Sequence, residues 1–252
     1  QYYDLNNYYT GLFTFGDGVS NNLYYTFALS RNNTYTNPIF PLGGSQFSVS
    51  AKVSFPYSLV NNIDYANLGN QAAYQNTDGT PDQAKIDQEK FRWLEYYKLK
   101  FSGSWYSTII DKLVLKTHTE FGYLGAYNTD RGIIPFERFY LGGDGLSQYA
   151  LDGRETIAMR GYDNQSLSDR DGSTIYNKFS LELRYPITLK PSASIFALSF
   201  LEAGNSYNNF NKYNPFDIKR SAGFGIRIFM PAFGLLGIDF GYGFDSPAEG
   251  DL

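Results

Sequence analysis

Arg160, Gly161 and Tyr162 stand together in the stretch TIAMRGYDNQ, residues 156–165. A guanidinium is a planar fork of five donors that keeps its charge at any working pH. Beside a permissive residue and a large aromatic, it suits docking better than bond breaking. The glycine lets the backbone turn sharply. The tyrosine can pack its ring and still donate a hydrogen bond. Asp163 is the one charge close by in sequence, so the arginine needs a partner from elsewhere in the chain.

Other chemistry-bearing groups are sparse. His118 is the single histidine. It falls on the polar side of a strand pattern with Lys116 and Glu120, where a structural role is expected. No nucleophile stands beside a base in the sequence, so no enzymatic activity is expected. With one His, no Cys and no carboxylates at ligand spacing, no zinc site is expected. DRDGS at 169–173 and NTDGTPD at 76–82 have the look of calcium-binding turns, without the full ligand pattern of such loops. GGDG at 142–145 is no phosphate loop, since neither a Lys-Ser/Thr pair nor a helix follows. No cofactor is expected, and a net charge of −4 argues against a nucleic-acid partner.

The elements that must position the arginine are strands. The 252 residues hold 23 Tyr, 21 Phe and 25 Gly beside 2 Met, a composition of strands and turns. In 44–57, Phe47, Val49, Ala51, Val53 and Phe55 alternate with Gln46, Ser48, Ser50, Lys52 and Ser54. The same period of two runs through 22–31, 111–127, 178–187, 219–230 and 235–245. With 8–15, 91–107 and 193–207, about nine strands are expected. They exceed the roughly 5–6 residues of a soluble strand and approach the 9–11 of a tilted membrane strand. No apolar run is long enough for a transmembrane helix. The mean hydropathy of −0.36 does not exclude a membrane barrel, whose strands alternate lipid-facing and inward residues.

Connections are uneven. MPAFG at 230–234 is short, whereas 57–90 and 128–173 are long, and DQAKIDQEK at 82–90, the best helix candidate but short and polar, is read as part of the first long loop. Short turns at one end and long loops at the other mark an outer-membrane barrel. A soluble sandwich could use the same alternation. Strand length favours the barrel, as do aromatics at strand ends such as Tyr57, Trp93, Trp105, Tyr123, Tyr127 and Tyr185. The fold class expected is all-β, a transmembrane antiparallel barrel. The opening QYYDLNNYYTGLFTF is already strand-like and reads as part of a longer protein.

Residues 128–173 are rich in Gly and Asp, yet carry Phe139, Tyr140, Leu141, Leu146, Tyr149, Leu151, Ile157 and Met159. Such a segment is expected to fold back and pack. Its wording, FYLGGDG followed by MRGYDNQSL, resembles the loop of Omp85-family outer-membrane proteins that carries an aliphatic-Arg-Gly-aromatic signature. The resemblance covers roughly 135–245 and is closest to the BamA insertases of the Bacteroidota. It implies that the loop enters the barrel lumen and that Arg160 meets acids on the two strands that follow. Those acids are Glu182 in NKFSLELRYPI and Glu202 in FLEAGNSY, where the family usually has Asp. Glu182 shares the polar side of its strand with Lys178, Ser180 and Arg184. Glu202 alternates in phase with Phe196, Leu198 and Phe200, so either that inner wall is apolar or a bulge shifts the phase.

The resemblance also implies a function. The chain, 1–252, would be part of a C-terminal barrel, with about nine of roughly sixteen strands. Periplasmic POTRA domains, the first strands and the last strand would lie outside it. The activity implied is folding and insertion of other barrel proteins into the bacterial outer membrane, through a seam whose unpaired edge templates the client. Partners would be outer-membrane lipids, unfolded barrel clients and accessory subunits of an assembly complex. The alternatives are an Omp85-type translocation or secretion channel and, further off, a passive porin.

Overall fold

A computed structural model describes residues 2–3, 18–34, 37–145, 154–190 and 192–247. Its main feature is a sheet of eight strands in sequence order. The strands are β1 (Tyr24–Thr34), β2 (Gly43–Ser54), β3 (Tyr97–Ile110), β4 (Leu113–Gly125), β5 (Ile175–Lys190), β6 (Ala193–Tyr207), β7 (Lys219–Met230) and β8 (Gly234–Gly243). Among the described residues, β1 and β8 form its two edges and the sheet does not close on itself. The strand expected at 8–15 lies outside the described residues. The others appear with boundaries moved by a few residues, the largest change being at β3, which starts at Tyr97 rather than 91.

The two faces of the sheet are reversed relative to a water-soluble protein. On β5, Phe179, Leu181, Leu183 and Tyr185 are 43, 45, 37 and 54% exposed, while Lys178, Ser180 and Glu182 are 7, 5 and 6% exposed. Charged groups are covered only where they are paired, and a large apolar face is stable only against an apolar medium. The same inversion holds on β7, where Phe224 is exposed while Ser221 and Gly225 are buried; on the edge strand β8, Ile238, Phe240 and Tyr242 are exposed and its other face is open as well. No helix among the described residues is long and apolar enough to cross a membrane, which says nothing of crossing by strands.

The chain divides into two compact units. The first takes residues up to Phe27, Ala51–Leu99 and Leu124–Arg138. Here the segment read as plain loop contains α1 (Gln83–Phe91). This corrects the loop reading of 82–90, the best helix candidate in the sequence: its residues are polar on nearly every side, so no apolar period announces it. Two other signals act instead. Asp82 caps it by accepting from the Lys85 N–H at 3.2 Å, and its residues are good helix formers. Ile86 then packs with Tyr65 and Leu68 in a small core. Arg131 is buried beside Glu95 at 2.6 Å and donates to the Lys90 carbonyl at 2.7 Å, tying helix and loop together. Glu137 takes the ammonium groups of Lys52 and of Lys98, the latter at 3.1 Å.

The second unit takes Ala28–Ser50, Lys100–Tyr123 and Phe139 onward. It contains the described parts of the long segment after Phe139. That segment does fold back: Phe139–Leu141 and Glu155–Ile157 pair as two short parallel strands. Phe139, Leu141 and Met159 are fully buried, and Phe139 meets Tyr176 of β5 edge-on at 4.8 Å. Leu146, Tyr149 and Leu151 lie outside the described residues.

Candidate functional site: the Arg-Gly-Tyr tripeptide on the polar face

The tripeptide is held from both sides. Upstream, Met159 and Gly143 exchange backbone hydrogen bonds of 2.9 and 3.1 Å, and Lys178 donates to the Ala158 carbonyl at 2.5 Å. These contacts aim Arg160 across the polar face. Its backbone N–H donates to Glu202 Oε2 at 2.8 Å, while Nε and Nη2 donate to Glu202 Oε1 at 3.1 and 2.7 Å. Nη2 also reaches Glu182 Oε1 at 2.7 Å. The guanidinium lies 3.8 Å over the Phe200 ring. Charge-assisted bonds and a ring face together replace the water this cation gives up.

Glu182 is itself shared. It accepts from Arg184 Nε and Nη2 at 2.8 and 2.5 Å, with Lys116 at 4.0 Å. Lys178 stands 3.5 Å from Glu202. Beside this network lies a polar cavity of about 950 Å³ bounded by the tripeptide, Lys116, His118, Glu120 and Asp239.

The sheet settles the phase of Glu202. From Phe196 to Glu202 the pairing of β5 and β6 runs without interruption; the register shift lies before it, between Ile195 and Phe196. Phe196, Leu198, Phe200 and Glu202 are therefore all on the covered face, each at most 4% exposed. The wall is apolar beside its acid, and no bulge is needed.

Three contacts of the tripeptide escaped the sequence reading. Asp239 of β8 lies 3.6 Å from Arg160 Nη1 and is gripped by Arg227 of β7 through two bonds of 2.7 Å. Tyr162 donates to the Arg220 carbonyl at 2.7 Å. Gly161 adopts φ +88° and lies directly on the edge of the sheet: a Cβ there would come within 2.8 Å of the Tyr242 backbone. The opposing surface is glycine too. A Cβ at Gly241 would come 2.8 Å from the Gly161 nitrogen, and one at Gly243 would meet the Tyr162 ring at 2.8 Å. The available signal was the row of glycines at alternate positions 237, 241 and 243, which reads as a strand made thin on one side.

His118 corrects a second reading. The sequence offers no nucleophile beside a base, but the sheet brings Ser104 of β3 to 2.8 Å from His118 Nδ1, and His118 Nε2 to 2.7 Å from Glu120. The serine comes from the neighbouring strand, a distance that sequence spacing cannot show. Ser104 lies on an inner strand whose backbone is committed to ladders on both sides. In the turn at 76–82, Asp78 accepts from the Thr80 N–H and hydroxyl at 3.0 and 2.6 Å, so its carboxylate serves the turn itself.

The family model described as the Omp85 superfamily domain matches residues 4–251. The chain belongs to the Omp85 superfamily. Among curated proteins none matches it. Omp85 superfamily proteins are outer-membrane proteins, in keeping with a sheet whose apolar face is the exposed one.

Proposed function

We propose that this Omp85 chain is the barrel portion of an outer-membrane assembly factor that folds and inserts other β-barrel proteins. The reading rests above all on the way Arg160 binds the polar face. The tripeptide joins β5 and β6 through Glu182 and Glu202, and β7 and β8 through Gly161, Tyr162 and Asp239. On this proposal the loop lies in the lumen as an internal brace. A barrel whose wall must open at a seam needs such a brace, because unpaired strand edges are expensive in lipid. An exposed edge is also a hydrogen-bond template for a client strand. Nothing in this scheme calls for a nucleotide or a covalent intermediate. Clients, outer-membrane lipids and accessory subunits of an assembly complex are the partners proposed.

The deciding experiment is depletion of the full-length protein, followed by mass spectrometry of the outer membrane. A broad fall in unrelated barrel proteins, with precursors accumulating in the periplasm, is expected. Loss of one exported protein with the other barrels at normal levels would overturn the insertase reading in favour of a dedicated translocation channel.

A further inference from the structure

The connection between β1 and β2, residues 35–42, is longer than its counterparts. The β3–β4 and β7–β8 connections occupy only 111–112 and 231–233. Antiparallel neighbours can be joined by two residues, so the extra length is not needed to turn the chain. Its described part, Asn37–Leu42, goes inward. Phe40 is 1% exposed and meets Phe196 edge-on, with ring centroids 5.2 Å apart. Tyr106, Val114, Leu198 and Phe200 complete the buried cluster.

These wall positions belong to the polar face, where β5 carries Lys178, Ser180 and Glu182. An apolar patch there needs a cover, and the turn supplies it. The turn is also built to stay in place. The Asn37 side chain accepts from the Ile39 and Phe40 N–H groups at 2.9 and 3.2 Å. Thr108 of β3 donates to the Leu42 carbonyl at 2.6 Å. Pro38 and Pro41 fix φ on either side of half-buried Ile39 and buried Phe40. Gly44 leaves the turn at φ +99°, where a side chain would be strained.

We infer that this turn is an apolar plug that closes the short-turn end of the barrel interior to ions and to extended polypeptide. The inference rests on the barrel reading given above and deepens it. A chain closed at this end suits lateral delivery of clients through the wall, and opposes conduction through the lumen. Apolar constrictions block ions by expelling water, without a complete steric seal.

The test uses the full-length protein reconstituted into planar lipid bilayers. Wild type, Phe40→Ser, Phe196→Ser and Phe40→Leu are each checked for heat-modifiable migration before recording. Wild type and Phe40→Leu should show little steady conductance. Either serine variant should raise it by roughly tenfold or more, because a polar group rewets the constriction. Folded serine variants with unchanged conductance would overturn the plug, as would a wild type that already conducts steadily. A wild type without heat-modifiable migration would instead defeat the barrel reading itself, and the plug with it.

Discussion

Arg160 shares its charge among three carboxylates and one ring, so the loss of any single partner is cushioned while the loss of the arginine is not. Glu182 would keep Arg184, but Glu202 would be left with Lys178 at 3.5 Å. Arg160→Ala should therefore lower stability by about 3 kcal/mol, at the low end for breaking a buried pair. A reduced temperature for loss of heat-modifiable migration, with the 154–174 segment newly open to protease, would register it. In a double-mutant cycle, Arg160→Glu combined with Glu182→Arg should recover part of what either change loses; no recovery would argue against direct contact. Gly161→Ala meets backbone on the opposite side, so it should cost more than the usual 1 kcal/mol or so of a left-handed alanine.

Glu137 carries a pH dependence of its own. Burial opposes its charge, but Lys52 and Lys98 outweigh that and hold the carboxyl below its ordinary value. A depressed folded pKa contributes stability that is complete above the unfolded value of about 4.3 and fades as pH falls through the folded one. Glu137→Gln should thus lower the melting temperature at pH 7, and the gap from wild type should shrink in acid. A gap that is constant across this range would show that the ion pairs are not the cause.

At the scale of elements, α1 and the eight strands were unequally legible. A period of two needs only the identity of neighbours, and β2 or β5 satisfies it almost without exception. The helix lacks its own period because one residue, Ile86, carries most of its packing into the small core. Its capping aspartate was the readable sign. Asp82→Ala should destabilise the first turn by about 1 kcal/mol, seen as faster amide exchange at 83–86 with β5 unaffected. The candidate site divides in the same way. Arg160, Glu182 and Glu202 could be named from motif and alternation. Asp239, Ser104 and the glycine seat depend on which strands lie side by side, and on how closely a loop approaches them.

For the whole molecule, the inverted faces of the sheet carry the strongest consequence. If the exposed face lies against lipid, a cation on it must be dragged into hydrocarbon. Leu181→Arg should cost about 2–4 kcal/mol in folding from denaturant into lipid vesicles, if the position is near the bilayer midplane. Ser107→Arg, on an exposed polar position near the β3–β4 turn, should cost far less. Equal penalties at both positions would contradict a membrane-facing surface.

The glycine seat under Gly161 has another effect, on how β8 finds its place. A strand that slips by two residues keeps its faces and so preserves the alternation; apolarity alone cannot reject it. Here such a slip would move Asp239 to the position of Gly241 in one direction, or Asp245 to that of Gly243 in the other. Either side chain would occupy the space that Gly161 and Tyr162 need, and the tripeptide could not come to rest. The loop thus acts as a key that fits only one threading of the hairpin, so that the tripeptide can seat only on a sheet that has assembled in register.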